Sequence, residues 1–229
     1  MNTTGESEIV PIPADVHFHF GCGPEVSCFN ACCGNLSQYL SPYDILRLKK
    51  NLGVSSSAFL ASYTQRHDGP RSGLPVVALQ PQSTSGLTCP FVSPRGCRVY
   101  EDRPASCRMY PILRMAARDR GTGNIREEFM LIREPHCRGF ETDRKITVIA
   151  WMEEQGLSPY NAANDEFLQI LAAKRDKYPG MLPAHLSDRI YTALYDSDRF
   201  AGVIKNPASA EDDEAFLLAA YDYVIGCFS

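Results

Sequence analysis

No stretch of the sequence reaches about 18 consecutive apolar residues, the length at which a helix is predicted to span a membrane. The opening segment, residues 1–16, also lacks the basic part and the continuous apolar part of a secretory signal peptide. We therefore expect a protein that has no membrane partner and is located in the cytoplasm.

Positive charge is not in excess either. Lysine and arginine together number 23, against 27 aspartate and glutamate residues, which gives a net charge of −4 and a pI of about 5.7. Non-specific binding to nucleic acid depends on a basic face that neutralises phosphates. Nucleic acid is therefore not an expected partner.

Cysteine is too sparse for a disulfide scaffold. Nine cysteines among 229 residues amount to about 4%, against the roughly 8–10% that marks small disulfide-rich secreted chains. The hydrophobic content of 44% is enough to build a core without covalent cross-links. In a cytoplasmic protein of this composition, the cysteines predict metal binding or catalysis.

Four of the cysteines are concentrated in the stretch Phe20–Gly34, and four more follow at wider intervals. The eight are Cys22, Cys28, Cys32, Cys33, Cys89, Cys97, Cys107 and Cys137. The adjacent pair in the first group is awkward for one tetrahedral ion, because neighbouring side chains leave the backbone in different directions. The pair can instead serve two separate ions, or different atoms of one larger cluster. The ninth cysteine, Cys227, lies at the apolar end of a predicted helix, and we expect it to be a buried small hydrophobe.

Thiolates are soft ligands that select zinc, copper(I) or iron–sulfur clusters. A structural zinc takes four ligands, commonly from two close cysteine pairs, and the spacings in this sequence do not give such pairs. Cluster binding tolerates uneven spacing, so a 4Fe-4S cluster is the preferred cofactor and Zn²⁺ the alternative. All eight cysteines are predicted metal ligands. Arg103 and Arg108, which flank Cys107, are predicted to donate hydrogen bonds to sulfur from outside the ligand set.

The local patterns predict an α+β fold, in which a small cysteine-rich region with short antiparallel strands and two helices is followed by a helical part. Ser41 and Gly53 bound the first predicted helix, and a second helix begins at Ser55. The segments ILRMAARD and NIREEFMLIRE predict a β-hairpin, LTCPFV a returning strand, and Thr142 the start of the helical part. The expected domains are a flexible lead-in at 1–16, a metal-binding domain at 17–141 and a helical region at 142–229, packed as one continuous unit.

Several motifs resemble one known family. TCPFV, GCRVYEDRP and ASCRMYP are similar to its CPFL, GCxIYxxRP and CRxYP segments, and the CCG sequence followed by a helix also matches. HCRGF is similar to its later cysteine–glycine element. On these residues the chain resembles the CxxCxxCC (YkgJ-like) cysteine-cluster family over about 20–141. The resemblance implies a zinc- or iron-chelating site.

The same family includes flagellin lysine N-methylases, which are larger proteins thought to hold an iron–sulfur cluster. The resemblance therefore implies the cluster, whereas no separate methyl-donor domain is apparent in this sequence. We expect an iron–sulfur protein that serves electron transfer, redox sensing or a small oxidoreductase, with an electron-transfer or substrate protein as its partner. A non-catalytic zinc protein that supports protein interaction is the alternative. A protein-modifying enzyme related to the lysine methylases is the third hypothesis.

Overall fold

The computed structural model describes residues 6–34, 36–82, 87–204 and 213–229. Within this part of the chain there are eight α-helices and ten β-strands, so the fold is α+β with a helical C-terminal region, as the sequence predicts. The helices are α1 (Pro42–Leu52), α2 (Ser56–Tyr63), α3 (Ala105–Met109), α4 (Val148–Glu154), α5 (Ser158–Lys177), α6 (Ala184–Tyr195), α7 (Ser197–Ile204) and α8 (Asp213–Gly226). The strands are β1 (Glu8–Pro11), β2 (His17–His19), β3 (Tyr39–Leu40), β4 (Thr64–Asp68), β5 (Pro75–Leu79), β6 (Val92–Ser93), β7 (Gly96–Cys97), β8 (Ile112–Arg118), β9 (Ile125–Arg133) and β10 (Lys145–Thr147).

The chain divides into two compact units that are discontinuous in sequence. Unit 1 comprises Met1–Leu36 and Pro81–Pro159, and unit 2 comprises Ser37–Gln80 and Tyr160–Ser229. The domain boundaries expected from the sequence stay a prediction. Among the described residues, no helix is long and apolar enough to cross a membrane.

Unit 1 is built from antiparallel strands and short helices. One sheet has the order β1-β9-β8, and two further pairs join β2 to β10 and β6 to β7. The lead-in expected to be flexible contributes β1, which pairs with β9 along its whole length. In the same unit, the rings of Tyr110, Phe140 and Trp151 pack against the buried Phe20, with centroid separations of 6.1, 5.1 and 5.2 Å. This aromatic cluster is the core beneath the cysteine-rich stretch.

Unit 2 combines a sheet of order β3-β5-β4 with helices α1, α2 and α5–α8. Its N-terminal helix has the predicted ends, because Ser41 and Asp44 form a reciprocal capping box and Gly53 adopts the left-handed conformation at φ 65°. The buried Asp196 carboxylate accepts hydrogen bonds of 2.6 and 2.8 Å from the hydroxyls of Ser56 and Ser57 at the start of α2.

The predicted hairpin is confirmed as β8 and β9. Two other local predictions are wrong. The segment around Cys89 is not a returning strand, since it makes one isolated bridge, Gln82 to Thr88, before the β6–β7 pair. Thr142 does not cap a helix, because β10 intervenes and Thr147 caps α4.

Candidate metal centre

All eight predicted cysteine ligands belong to unit 1, although residues 37–80 separate the first four from the rest. All eight are free thiols, and their exposure ranges from buried for Cys89 to exposed for Cys22, Cys32 and Cys107. The ninth cysteine, Cys227, follows α8 in unit 2. The eight predicted ligands thus all lie in one compact unit, and Cys227, which is not a predicted ligand, lies in the other.

A succession of tight turns shapes the stretch that carries the first four cysteines. Backbone hydrogen bonds run from Ala31 to Cys28 at 2.9 Å and from Cys33 to Asn30 at 3.0 Å. Asn30 adopts the left-handed conformation at φ 68°, and its side chain donates to the Ser93 carbonyl at 2.9 Å. These bonds hold the adjacent cysteine pair next to the β6–β7 hairpin.

The segment around Cys137 lies against the start of the same stretch. The backbone N–H of Arg138 donates a 3.1 Å hydrogen bond to the Cys28 sulfur, and the Gly21 N–H donates to the Gly139 carbonyl at 3.0 Å. A side chain at Gly139 would not fit, since its Cβ would lie 2.5 Å from Phe20 Cε2. Cys137 therefore returns to Cys28 across more than a hundred residues of sequence.

Three of the remaining predicted ligands, Cys89, Cys97 and Cys107, lie near the other end of the stretch. The Cys89 N–H donates to the Cys33 carbonyl at 2.9 Å, and Cys97 pairs with Val92 in the β6–β7 hairpin. Cys107 lies on the short helix α3. The neighbouring Cys32 thiol and burial raise the pKa of the Cys33 thiol most, and the thiols of Cys89 and Cys107 add to this rise.

Two buried arginines make hydrogen bonds that hold the segment carrying Cys107 in place. The guanidinium of Arg108, only 8% exposed, donates to the carbonyls of Arg103 at 3.0 Å, Gln155 at 2.8 Å and Glu101. The guanidinium of Arg103 donates to the Tyr100 carbonyl at 2.6 Å and to the Gln155 side chain. Hydrogen bonds from these arginines to sulfur stay a prediction, and the bonds described here give both residues a structural role.

The charge of Arg103 also reaches the thiols. It lies close enough to Cys22 and Cys97 to favour their ionised forms, although burial raises the pKa of both thiols, that of Cys22 to about 11. Burial likewise raises the pKa of Cys89 and Cys137. Metal binding to these side chains therefore has to displace protons.

The adjacent thiols behave as an unequal pair. The interaction between the two adjacent thiols lowers the pKa of Cys32 and raises that of Cys33. The two side chains differ in surroundings as well, because Cys32 is exposed and Cys33 is half-buried.

The sequence did not single out Tyr110 and Glu134. The buried hydroxyl of Tyr110 lies beside Cys137 and Glu134, without a well-formed hydrogen bond among the described residues. Burial, with these neighbours, raises the pKa of Tyr110. The only available signal was the position of Tyr110 in CRMYP, three residues after Cys107.

The donor set fits a thiophilic metal, although its side chains are not gathered around one point. In the described parts of the chain, no three histidine, cysteine, aspartate or glutamate side chains converge closely enough to hold a metal ion as they lie. Eight free thiols with nearby cationic and N–H groups nevertheless form the chemistry that zinc and iron–sulfur clusters require. Metal binding would draw the thiols closer together.

The fold and this thiol set define an α+β metal-chelating protein. Residues 22–138 match the profile of the CxxCxxCC family, described as a "putative zinc- or iron-chelating domain". The match covers just over half of the chain, from Cys22 to the residue after Cys137, and the chain belongs to this family. No curated protein and no solved structure shows significant similarity to the chain.

Proposed function

We propose that unit 1 holds an iron–sulfur centre, of the 4Fe-4S type, that serves electron transfer, redox sensing or a small oxidoreductase. The observation that carries this proposal is the collection of eight free thiols in one compact unit. This number is twice the four cysteines that either a closed zinc site or a 4Fe-4S cluster takes, and the uneven spacing of the cysteines favours the cluster.

The environment of the thiols supports a redox centre. Hydrogen bonds to sulfur and nearby charge are among the features that set the potential of an iron–sulfur cluster. The Arg138 N–H bonded to Cys28 supplies the first feature, and the charge of Arg103 beside Cys97 and Cys107 supplies the second. The proposal includes a cytoplasmic location and an electron-transfer or substrate protein as partner.

Metal and acid-labile sulfide analysis of protein purified without oxygen tests the proposal. The expected result is iron and sulfide in about a one-to-one ratio, with a brown chromophore that dithionite bleaches. Zinc without sulfide or colour would replace the proposal with the structural zinc site that the family description also allows. Measurable binding of S-adenosylmethionine would instead favour the protein-modifying hypothesis.

Cys107→Ser and Cys227→Ser form a matched pair of variants. Cys107 is exposed on α3 in unit 1, so its replacement removes a thiolate without opening a cavity. We expect Cys107→Ser to lose metal and stability together, because the free energy of metal binding also stabilises the fold. Cys227→Ser should retain the wild-type metal content. Full metal retention in Cys107→Ser would show that Cys107 is not a ligand.

A further inference from the structure

The sheet of unit 2 has an open edge at β4. The strand order is β3-β5-β4, and all but the first of the five β4 residues are exposed. Just beyond the strand, the Gly69 N–H donates to the Leu74 carbonyl at 2.8 Å. Because bonded pairs alternate along an antiparallel ladder, the backbone groups of Arg66 and Asp68 point away from β5. Among the residues that the structure describes, no backbone group pairs with these outward N–H and carbonyl groups.

A cleft of about 420 Å³ lies beside this edge. Residues of β4 line one side of it, and the opposite side is lined by Met181 and Leu182 and by the first turns of α6. Arg66 holds α6 in place, because its guanidinium donates to the side chains of Ser187 and Asp188, each at 2.7 Å. The cleft is therefore bounded by two fixed walls, and a chain segment that entered it would lie beside the open edge.

The side chains that line the cleft indicate which segment would fit. The charge of Arg66 is already paired with Asp188, whereas the Asp68 carboxylate makes no ion pair with any residue that the structure describes. One negative charge is thus left over. Met181, which is 71% exposed, and Leu182 supply an apolar wall. A segment that carries a basic side chain next to an apolar one is complementary to these groups.

We propose that this cleft binds an extended peptide segment of a partner protein, which joins the sheet of unit 2 as a fourth strand beside β4. In complexes of this kind, main-chain hydrogen bonds to the exposed edge give affinity, and contacts with alternate side chains give specificity. A lone peptide can enter between the two walls, whereas the β4 of a second copy would bring its own sheet and α6 with it. The inference concerns unit 2 and stands independently of metal binding in unit 1.

Selection from a library of random seven-residue peptides displayed on phage, against the immobilised full-length chain, tests the proposal. The enriched peptides should carry lysine or arginine next to an apolar residue. The affinity of the tightest one is then measured by fluorescence anisotropy with the wild-type protein and with three variants of β4.

Two variants separate the charge of Asp68 from its backbone. Asp68→Ala removes the carboxylate and keeps the N–H, so it should weaken peptide binding by up to about fivefold. Asp68→Pro also removes the outward N–H, a change that a sheet edge tolerates, and should weaken binding by about tenfold. Gln65→Ala is the matched control, because Gln65 is exposed on β4 but does not line the cleft, and it should bind the peptide like the wild type.

Amide hydrogen exchange of the wild-type chain with the selected peptide guards against variants that fail to fold. The peptide should slow exchange at Arg66 and Asp68, whose N–H groups face the open edge, and leave exchange at Gln65 and His67, which face β5, unchanged. The absence of enriched peptides, equal binding by Asp68→Pro, or protection confined to other residues would overturn the proposal. Self-association of the wild type that Asp68→Pro abolishes would also overturn it, and would assign the edge to a second copy of the chain.

Discussion

Arg108 offers the sharpest test of how unit 1 holds its cysteine segments. Its buried guanidinium donates to three backbone carbonyls, those of Glu101, Arg103 and Gln155. A hydrogen bond to a charged group contributes about 1.5–3 kcal/mol, and a carbonyl left buried without a donor costs about 1–3 kcal/mol. Because water can reach part of the vacated space, we expect Arg108→Met to lower the free energy of unfolding by about 3–5 kcal/mol, short of the full sum of the three bonds.

The assay is denaturant unfolding of metal-loaded protein under anaerobic conditions. Arg108→Lys keeps the charge but replaces the planar group with a single ammonium, so it should fall between the wild type and Arg108→Met. Arg175→Met serves as the surface control, because Arg175 makes an exposed ion pair with Asp176, and its unfolding midpoint should match that of the wild type. A loss below about 1 kcal/mol in Arg108→Met would refute the structural role derived from the three carbonyls. A loss of stability that is present in the metal-loaded protein and absent in the metal-free protein would instead place Arg108 in direct support of the sulfur ligands.

Three further substitutions probe local features by the same unfolding assay. Gly139→Ala should lower the free energy of unfolding by about 1–3 kcal/mol and reduce metal content, because the new Cβ would lie 2.5 Å from Phe20 Cε2. Gly121→Ala is the matched control, because its Cβ would lie 3.5 Å from the nearest neighbouring atom, and it should keep its metal. Ser41→Ala should cost about 1 kcal/mol through the lost capping box, and an unchanged unfolding midpoint would contradict that role. Asp196→Asn should cost about 1–3 kcal/mol, since the amide removes the negative charge from the hydrogen bonds with both α2 serine hydroxyls and replaces one accepting oxygen with an NH2 group; unchanged stability would count against it.

Short-range features of the fold were predictable because their causes lie within a few residues. The capping box at Ser41, the stop at Gly53 and the β8–β9 hairpin each depend on local sequence. The prediction of a helix that starts at Thr142 is wrong because the nearby residues Lys145–Thr147 form a strand that pairs with β2, more than a hundred residues earlier in the chain. A capping residue is a weak predictor of a helix when the segment that follows it pairs with a strand elsewhere in the chain.

The candidate ligands follow from residue type, and their role as ligands stays a prediction, whereas their arrangement was not predictable. Eight cysteines outside apolar stripes indicate a thiolate site in any fold that gathers them. The contact between Arg138 and Cys28 depends on a backbone N–H, which has no signature in the sequence. Likewise, no composition change marks residues 37–80 as part of a different compact unit. Both features arise from long-range packing.

The discontinuity of unit 1 has a consequence for biosynthesis. The segment ending at Cys33 is translated first, residues 37–80 of unit 2 follow, and only then do the later cysteines appear. At about 5–20 residues per second, the ribosome takes several seconds to pass from Cys33 to Cys89 and longer to reach Cys137. Throughout that interval the nascent chain carries four thiols whose later partners do not yet exist. Loading of metal into the complete set is therefore a late step, and the early thiols depend on a reducing environment until it occurs.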